Sequence, residues 1–170
     1  VRERAPEIAQ ALLRVKRPHH PDHPVRPGLA DRPSAMQAIR VQRIIVRRDR
    51  VVCYVALDPA APRTTTPEIA EHLIEHVPTL PQHDCINDVG PTFGDVIAHT
   101  SLPHVLEHLV IDLQTRHTAR SDDPRMRART FRGTTEWINI GEGRAKIELD
   151  YADDLVVLKA LADSVDILND

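Results

Sequence analysis

The sequence predicts an α+β fold, an antiparallel sheet of about four strands built from two β-hairpins with helices packed on one face, in the order ββα-loop-αββα. Two observations carry this. Residues 38–46 and 50–57, and again residues 130–140 and 144–151, are alternating or continuous apolar, β-branched runs joined by the short turns Arg47-Arg48-Asp49 and Gly141-Glu142-Gly143. Residues 67–77, 100–117 and 154–168 instead repeat their apolar residues at helical spacing.

In chain order, residues 2–16 hold a short helical pattern with Ile8, Leu12, Leu13 and Val15 near one face. The next stretch, RPHHPDHPVRPGLADRPS, has five prolines and a glycine and reads as an extended spacer, with His19, His20 and His23 as solvated members of it. Residues 1–35 are therefore read as an N-terminal extension and Pro-rich linker, and residues 36–170 as the folded domain. Pro59 and Pro62 end the first hairpin, and Thr66 caps a helix beginning at Pro67 with Ile69, Leu73 and Val77 as its apolar stripe. Residues 78–99 form an irregular connection. The helix at 100–117 takes Pro103 in its first turn, where a missing N–H costs nothing, and Thr100 or Ser101 as its cap. Its stripe is Val105, Leu106, Leu109, Val110 and Leu113. After a charged loop and the second hairpin, Asp153 or Asp154 caps a last helix whose expected buried side is Leu155, Leu158, Leu161, Ala162, Val165 and Leu168.

Composition narrows the function classes. A chain of 170 residues suits one domain with a real core. With a formal net charge of -3 and no basic block to follow a phosphate backbone, no nucleic-acid partner is expected. No apolar run approaches a membrane span and no signal-peptide pattern opens the chain, so a soluble cytoplasmic protein is the expectation. Cys53 and Cys85 are too few for a disulfide scaffold; Cys53, inside VVCYVAL, reads as a small buried hydrophobe.

The chemistry is concentrated in the helix at 100–117, where His104, Glu107 and His108 spell H-x-x-E-H. Histidines four apart share a helix face and can both reach one zinc ion, and the glutamate before the second is placed to take a proton from a water that zinc activates. Ten histidines and nine glutamates in 170 residues predict about 0.03 such pentapeptides by chance, yet a second copy occurs at His72, Glu75 and His76. That copy falls beside Glu68 and Glu71 on the polar side of its helix and is read as a decoy.

The order of motifs from Met36 onward resembles the N-terminal domain of cyanophycin synthetase, the enzyme that makes the Asp-Arg storage polymer. Leu80-Pro81 followed by His83 and Cys85 is similar to its leucine-proline and H-x-C-S pattern. Thr100 with the His104–His108 run and the trailing Leu113-Gln114, and Leu149-Asp150-Tyr151-Ala152-Asp153-Asp154, resemble two further motifs. The resemblance implies a zinc-type hydrolase that trims polymer, with His104 and His108 on the metal and Glu107 as general base. The synthetase's ATP-grasp and ligase modules find no counterpart in these 170 residues, so polymerisation is not expected. Ile86 replaces the family's serine, and Ser101 and Pro103 replace the tryptophan and glycine before the first motif histidine.

A catalytic zinc needs a third protein ligand and an open position. His83, Cys85, Glu148 and Asp150 are the candidates, with His83 favoured through the resemblance and Asp150 second. Glu148 and Asp150, two apart on one strand, share a face and serve only if that face meets the helix. Arg129, Arg132 and Arg144 are candidates to hold a substrate carboxylate or oxyanion. The leading expectation is a zinc-dependent peptidase acting on a peptide or an isopeptide-branched polymer. The alternative, motivated by the substitutions at Ile86, Ser101 and Pro103, is a non-catalytic binding or assembly module that keeps the fold of a hydrolase. A homodimer is left open.

Overall fold

A computed structural model describes residues 37–170; the helical pattern at 2–16, the Pro-rich linker and the boundary at Met36 lie outside the described residues. The element order is β1 (Ile39–Val46), β2 (Arg50–Leu57), α1 (Pro67–His76), α2 (Leu102–Thr118), α3 (Pro124–Arg127), β3 (Gly133–Asn139), β4 (Arg144–Asp150) and α4 (Asp154–Asn169). The two hairpins join through β2 and β4 into one antiparallel sheet of order β1-β2-β4-β3. This is the expected α+β arrangement. Gly143, at φ 67°, closes the second hairpin in the left-handed region that glycine enters without a Cβ penalty.

Strand alternation sorts the residues. Val51, Cys53, Val55 and Leu57 of β2 and Ala145, Ile147 and Leu149 of β4 are buried in one core with Leu102, Leu106 and Val110 of α2 and Val157, Ala160 and Leu161 of α4. Glu148, Asp150 and Arg50 fall on the other face by the same alternation. A second core lies across α2: Ala70, Leu73, Val77, Leu80, Phe93 and Ile97 pack on Val105 and Leu109. Burying each such aliphatic side chain contributes about 1.5–3 kcal/mol. Helix α2 is thus covered on two sides, and Glu107, His108, Asp112 and Gln114 are buried along with its apolar residues. Among the described residues no helix is long and apolar enough to cross a membrane.

Some local expectations shift. Thr66 caps α1 through Ile69 N–H and Asp153 caps α4 through Leu155 and Val156, as read from sequence. Ser101 sits at the N-cap of α2 without a side-chain cap bond, and the Thr100 hydroxyl is engaged with His104. The buried side of α4 is Val157, Ala160, Leu161 and Ser164, while Leu155 is 69% exposed and Ala162 is exposed. Both sets have helical spacing; the small Ala160 and Ser164 face the core. The irregular stretch at 78–99 contains short 3-10 turns at Leu80–Gln82 and Phe93–Asp95, and the charged loop contains α3, capped by Asp123.

Candidate metal centre

Helix α2 presents His104, His108, Asp112 and Arg116 at steps of four, each beside the next along the helix, with Thr100 just before its cap. Thr100 is held against the body of the protein: its N–H donates to Thr65 Oγ1 at 2.9 Å, and its C=O accepts from the Thr65 N–H at 2.8 Å. The loop running from Leu80 to Ile97 lies against this face, placing Phe93 flat on His108, with ring centroids 4.0 Å apart, and edge-on to His104 at 5.2 Å. The same loop delivers His83 and Cys85.

Cys85, His104 and His108 converge. Each offers one donor atom, and these atoms all lie within 4.8 Å of one another, a group that can hold a metal ion. Cys85 Sγ is 3.5 Å from His104 Nε2. His83, the favoured third ligand from sequence, has both ring nitrogens engaged: Nδ1 is 3.3 Å from His108 Nδ1, and Nε2 is 3.1 Å from Asp112 Oδ1.

The network is compatible with one metal-binding set of tautomers. Burial alone would raise the Asp112 carboxyl, but hydrogen bonds from His83 and Thr79 and the Arg116 charge bring it below the usual range, so it is an ionised acceptor. With His83 Nε2–H donating to it, His83 Nδ1 can accept from His108 Nδ1–H. The Nε2 lone pair of His108 is left for a metal. On His104, Thr100 Oγ1 lies 2.7 Å from Nδ1, in place to accept its N–H, and Nε2 faces Cys85. Each histidine is therefore oriented by a partner on its remote nitrogen, the arrangement that metal-binding histidines use. Burial pushes the His108 imidazole down to about 3, helped by the His104 and His83 rings, and lowers His104 as well, so both rings are neutral donors at pH 7. Burial raises the Cys85 thiol.

Glu107 is buried between α2 and β3. Thr135 Oγ1 donates to its Oε2 at 2.6 Å, and Gly133 supplies the space for the side chain: a Cβ there would lie 2.6 Å from Glu107 Cγ and 2.9 Å from Oε1. Burial raises the Glu107 carboxyl against the opposing Thr135 hydrogen bond, and the Glu107 charge is felt at Cys85.

The structure separates the other candidates from this centre. Asp150 does not join the cluster: its Oδ1 accepts from the Arg132 N–H at 2.8 Å, on the sheet face turned away from the helices. Glu148 shares that face and pairs with Arg50 and Lys146. The helices cover the Leu149 face, so alternation turns both carboxylates outward. Arg129 and Arg132 line an open cavity of about 440 Å³ at the start of β3, together with Asp49, Arg50, Glu148 and Asp150. Arg129 also donates to Tyr151 O and lies over the Phe131 ring. Arg144 pairs with Glu142. The second H-x-x-E-H copy is on the surface, where His72, Glu75 and His76 are all exposed and His76 bonds back to His72 O.

Phe93, Thr100, Asp112, Gly133 and Thr135 belong to the site without having been singled out for it. For Thr100 and Asp112 a signal existed, since they continue the four-residue steps from His104 and His108 in both directions. Thr135 and Gly133 carried none, since strand pairing alone brings them to Glu107.

No curated protein matches this chain. A family model described as the cyanophycin synthase-like N-terminal domain matches residues 53–169, a stretch that runs from β2 through the last turn of α4 and holds every residue of the centre. The chain belongs to the cyanophycin synthase-like N-terminal domain family.

Proposed function

We propose that the protein is a zinc-dependent hydrolase of the peptidase type, acting on a peptide or an isopeptide-branched, cyanophycin-like polymer. The observation that carries this is the convergence of Cys85, His104 and His108 next to a buried Glu107. The donor types suit the ion, and one pair has its spacing. Zinc takes nitrogen at about 2.0 Å and thiolate sulfur at about 2.3 Å, which in a tetrahedron sets N and S roughly 3.5 Å apart. Cys85 Sγ lies 3.5 Å from His104 Nε2, with all three donors within 4.8 Å of one another. Three protein ligands leave the fourth position open, as catalytic sites require. Zinc bound there supplies a Lewis acid and a water of lowered pKa.

The chain's own groups do the rest. Glu107 Oε1, the oxygen that Thr135 does not hold, takes the proton of the attacking water. It returns that proton to the leaving nitrogen as the C–O bond forms and the C–N bond breaks. Its raised pKa suits both halves of the exchange, and Thr135 fixes the carboxylate plane. Asp112 and His83 hold His108, and Thr100 holds His104, in the tautomers that donate through Nε2. Arg132 and Arg129 line the cavity by the start of β3, apart from the centre and beside Asp49, Glu148 and Asp150, and are contacts only for substrate that extends beyond the centre.

The test pairs metal content with turnover. Wild-type protein is expected to carry about one zinc per chain and to cleave a peptide or cyanophycin-like substrate. His104→Ala/His108→Ala should lose the zinc. Glu107→Gln should keep it and lose at least about a hundredfold in kcat. Full activity in Glu107→Gln sinks the mechanism, and wild-type protein without zinc after chelator-free purification and zinc addition favours a non-catalytic binding module instead.

A further inference from the structure

We propose that the free edge of β3 is the docking track for the main chain of the substrate, which adds to the sheet as an extended fifth strand alongside Glu107. The proposal deepens the hydrolase reading and rests on it for the identity of the occupant: an unbranched backbone stretch of several residues with free amide N–H groups.

The hydrogen-bond register fixes which β3 groups face outward. Asp150 N–H donates to Arg132 O, so Arg132 and Asp150 are a bonded pair, and by alternation Thr134 with Glu148 and Glu136 with Lys146 are the next two. Gly133, Thr135 and Trp137 must then point their backbone N–H and C=O away from β4. The other pairing of β4 agrees: Leu57 N–H donates to Gly143 O, which puts Ala145, Ile147 and Leu149 in bonded pairs with β2. Among the described residues, nothing pairs with the outward groups of Gly133, Thr135 and Trp137.

The opposite edge of the sheet is treated differently. At β1, where Ile39 faces outward by the same alternation, Asn169 Oδ1 accepts from Ile39 N–H at 3.1 Å and its Nδ2 donates to Ile39 O at 2.9 Å, and the strand is bulged between Val41 and Arg43. A side-chain amide and a bulge are common means of closing an edge to a further strand. On β3 the register is regular from Gly133 to Trp137 and shifts only after it.

The open edge is also the one at the centre. Thr135, whose backbone groups face outward, gives its hydroxyl to Glu107 Oε2, and Gly133 lies against Glu107 Cγ and Oε1. A strand paired with Thr135 and Trp137 runs past the carboxylate, with successive outward pairs roughly 7 Å apart. Main-chain pairing supplies affinity with little dependence on side chains. A dipeptide is too short to span both outward pairs.

Amide hydrogen exchange read by NMR on zinc-loaded Glu107→Gln protein tests this, with two blocked hexapeptides as probes, acetyl-(Asp-Arg)3-amide and acetyl-(Thr-Ala)3-amide. Saturating probe should slow exchange at Thr135 and Trp137 about tenfold or more, leaving Thr134 and Glu136 unchanged. Methylating alternate peptide nitrogens should abolish the effect in one frame and preserve it in the other. The proposal is overturned if neither probe protects these amides, or if both methylated frames behave alike. Protection already present without peptide also overturns it: dependence on protein concentration would assign the edge to a second copy, and independence to another segment of this chain. Wild-type turnover separates the two readings. Cleavage without β3 protection removes the docking track alone, and protection without cleavage removes the hydrolase reading alone.

Discussion

At the scale of single residues, Cys85 sets the pH behaviour of the centre. His104 and His108 are held neutral by burial, His108 down to about 3, so near pH 7 neither has a proton for a metal to displace. The Cys85 thiol is different. Burial raises it, and the charges of Glu107 and Asp95 push the same way against a hydrogen bond with Asn87, so it stays protonated at pH 7 and must lose that proton to bind. Low pH therefore opposes binding, and zinc affinity should climb about tenfold per pH unit between roughly pH 6.5 and 8. In Cys85→Ser that dependence should flatten, as read by competition with a chromophoric chelator. A profile equally steep in both proteins would place the displaced proton elsewhere. Cys53, whose thiol is pushed up to about 12 by burial in the sheet, has no part in this and is core, as its apolar surroundings in the sequence imply.

At the scale of elements, the contact that matters is α2 against β3. Gly133 lets the strand approach the helix closely enough for Thr135 to reach Glu107. Gly133→Ala is expected to displace the Glu107 side chain while leaving the metal ligands in place. Turnover should drop about tenfold or more with zinc content unchanged, and stability should fall by about 1–3 kcal/mol from overpacking. On the opposite side of α2, Leu109 is fully buried in the second core with Phe93, whose ring stacks on His108. Leu109→Ala should lower unfolding free energy by about 2–5 kcal/mol in urea titration; a loss under about 1 kcal/mol would mean that the second core is loosely packed.

At the scale of the whole molecule, metal and fold are linked through two successive segments that packing brings together. Cys85 comes from the loop that closes the second core, while His104 and His108 come from the helix that both cores share. Zinc that binds only the folded arrangement should add about 2.7 kcal/mol of stability at a hundredfold excess over Kd. A melting temperature that rises with zinc in the wild type, and not in His104→Ala/His108→Ala, is the expected calorimetric result.

What the sequence determined by itself is local. Hairpin alternation, the caps at Thr66 and Asp153, and the four-residue steps of α2 depend on neighbours a few residues away. They are legible because backbone geometry alone converts spacing into a shared face. The two H-x-x-E-H copies show the limit of that conversion. They match as pentapeptide patterns; the polar side on which His72, Glu75 and His76 fall marks that copy as exposed, but only packing sets the other against Phe93 and Cys85. Packing likewise decided that Asp150 faces away from the helices, that His83 holds His108 while Cys85 meets His104, and that Thr135 reaches Glu107. Each of these depends on which sheet face is covered or which loop crosses the helix, and a chain settles such choices only when distant segments bury their apolar surface together.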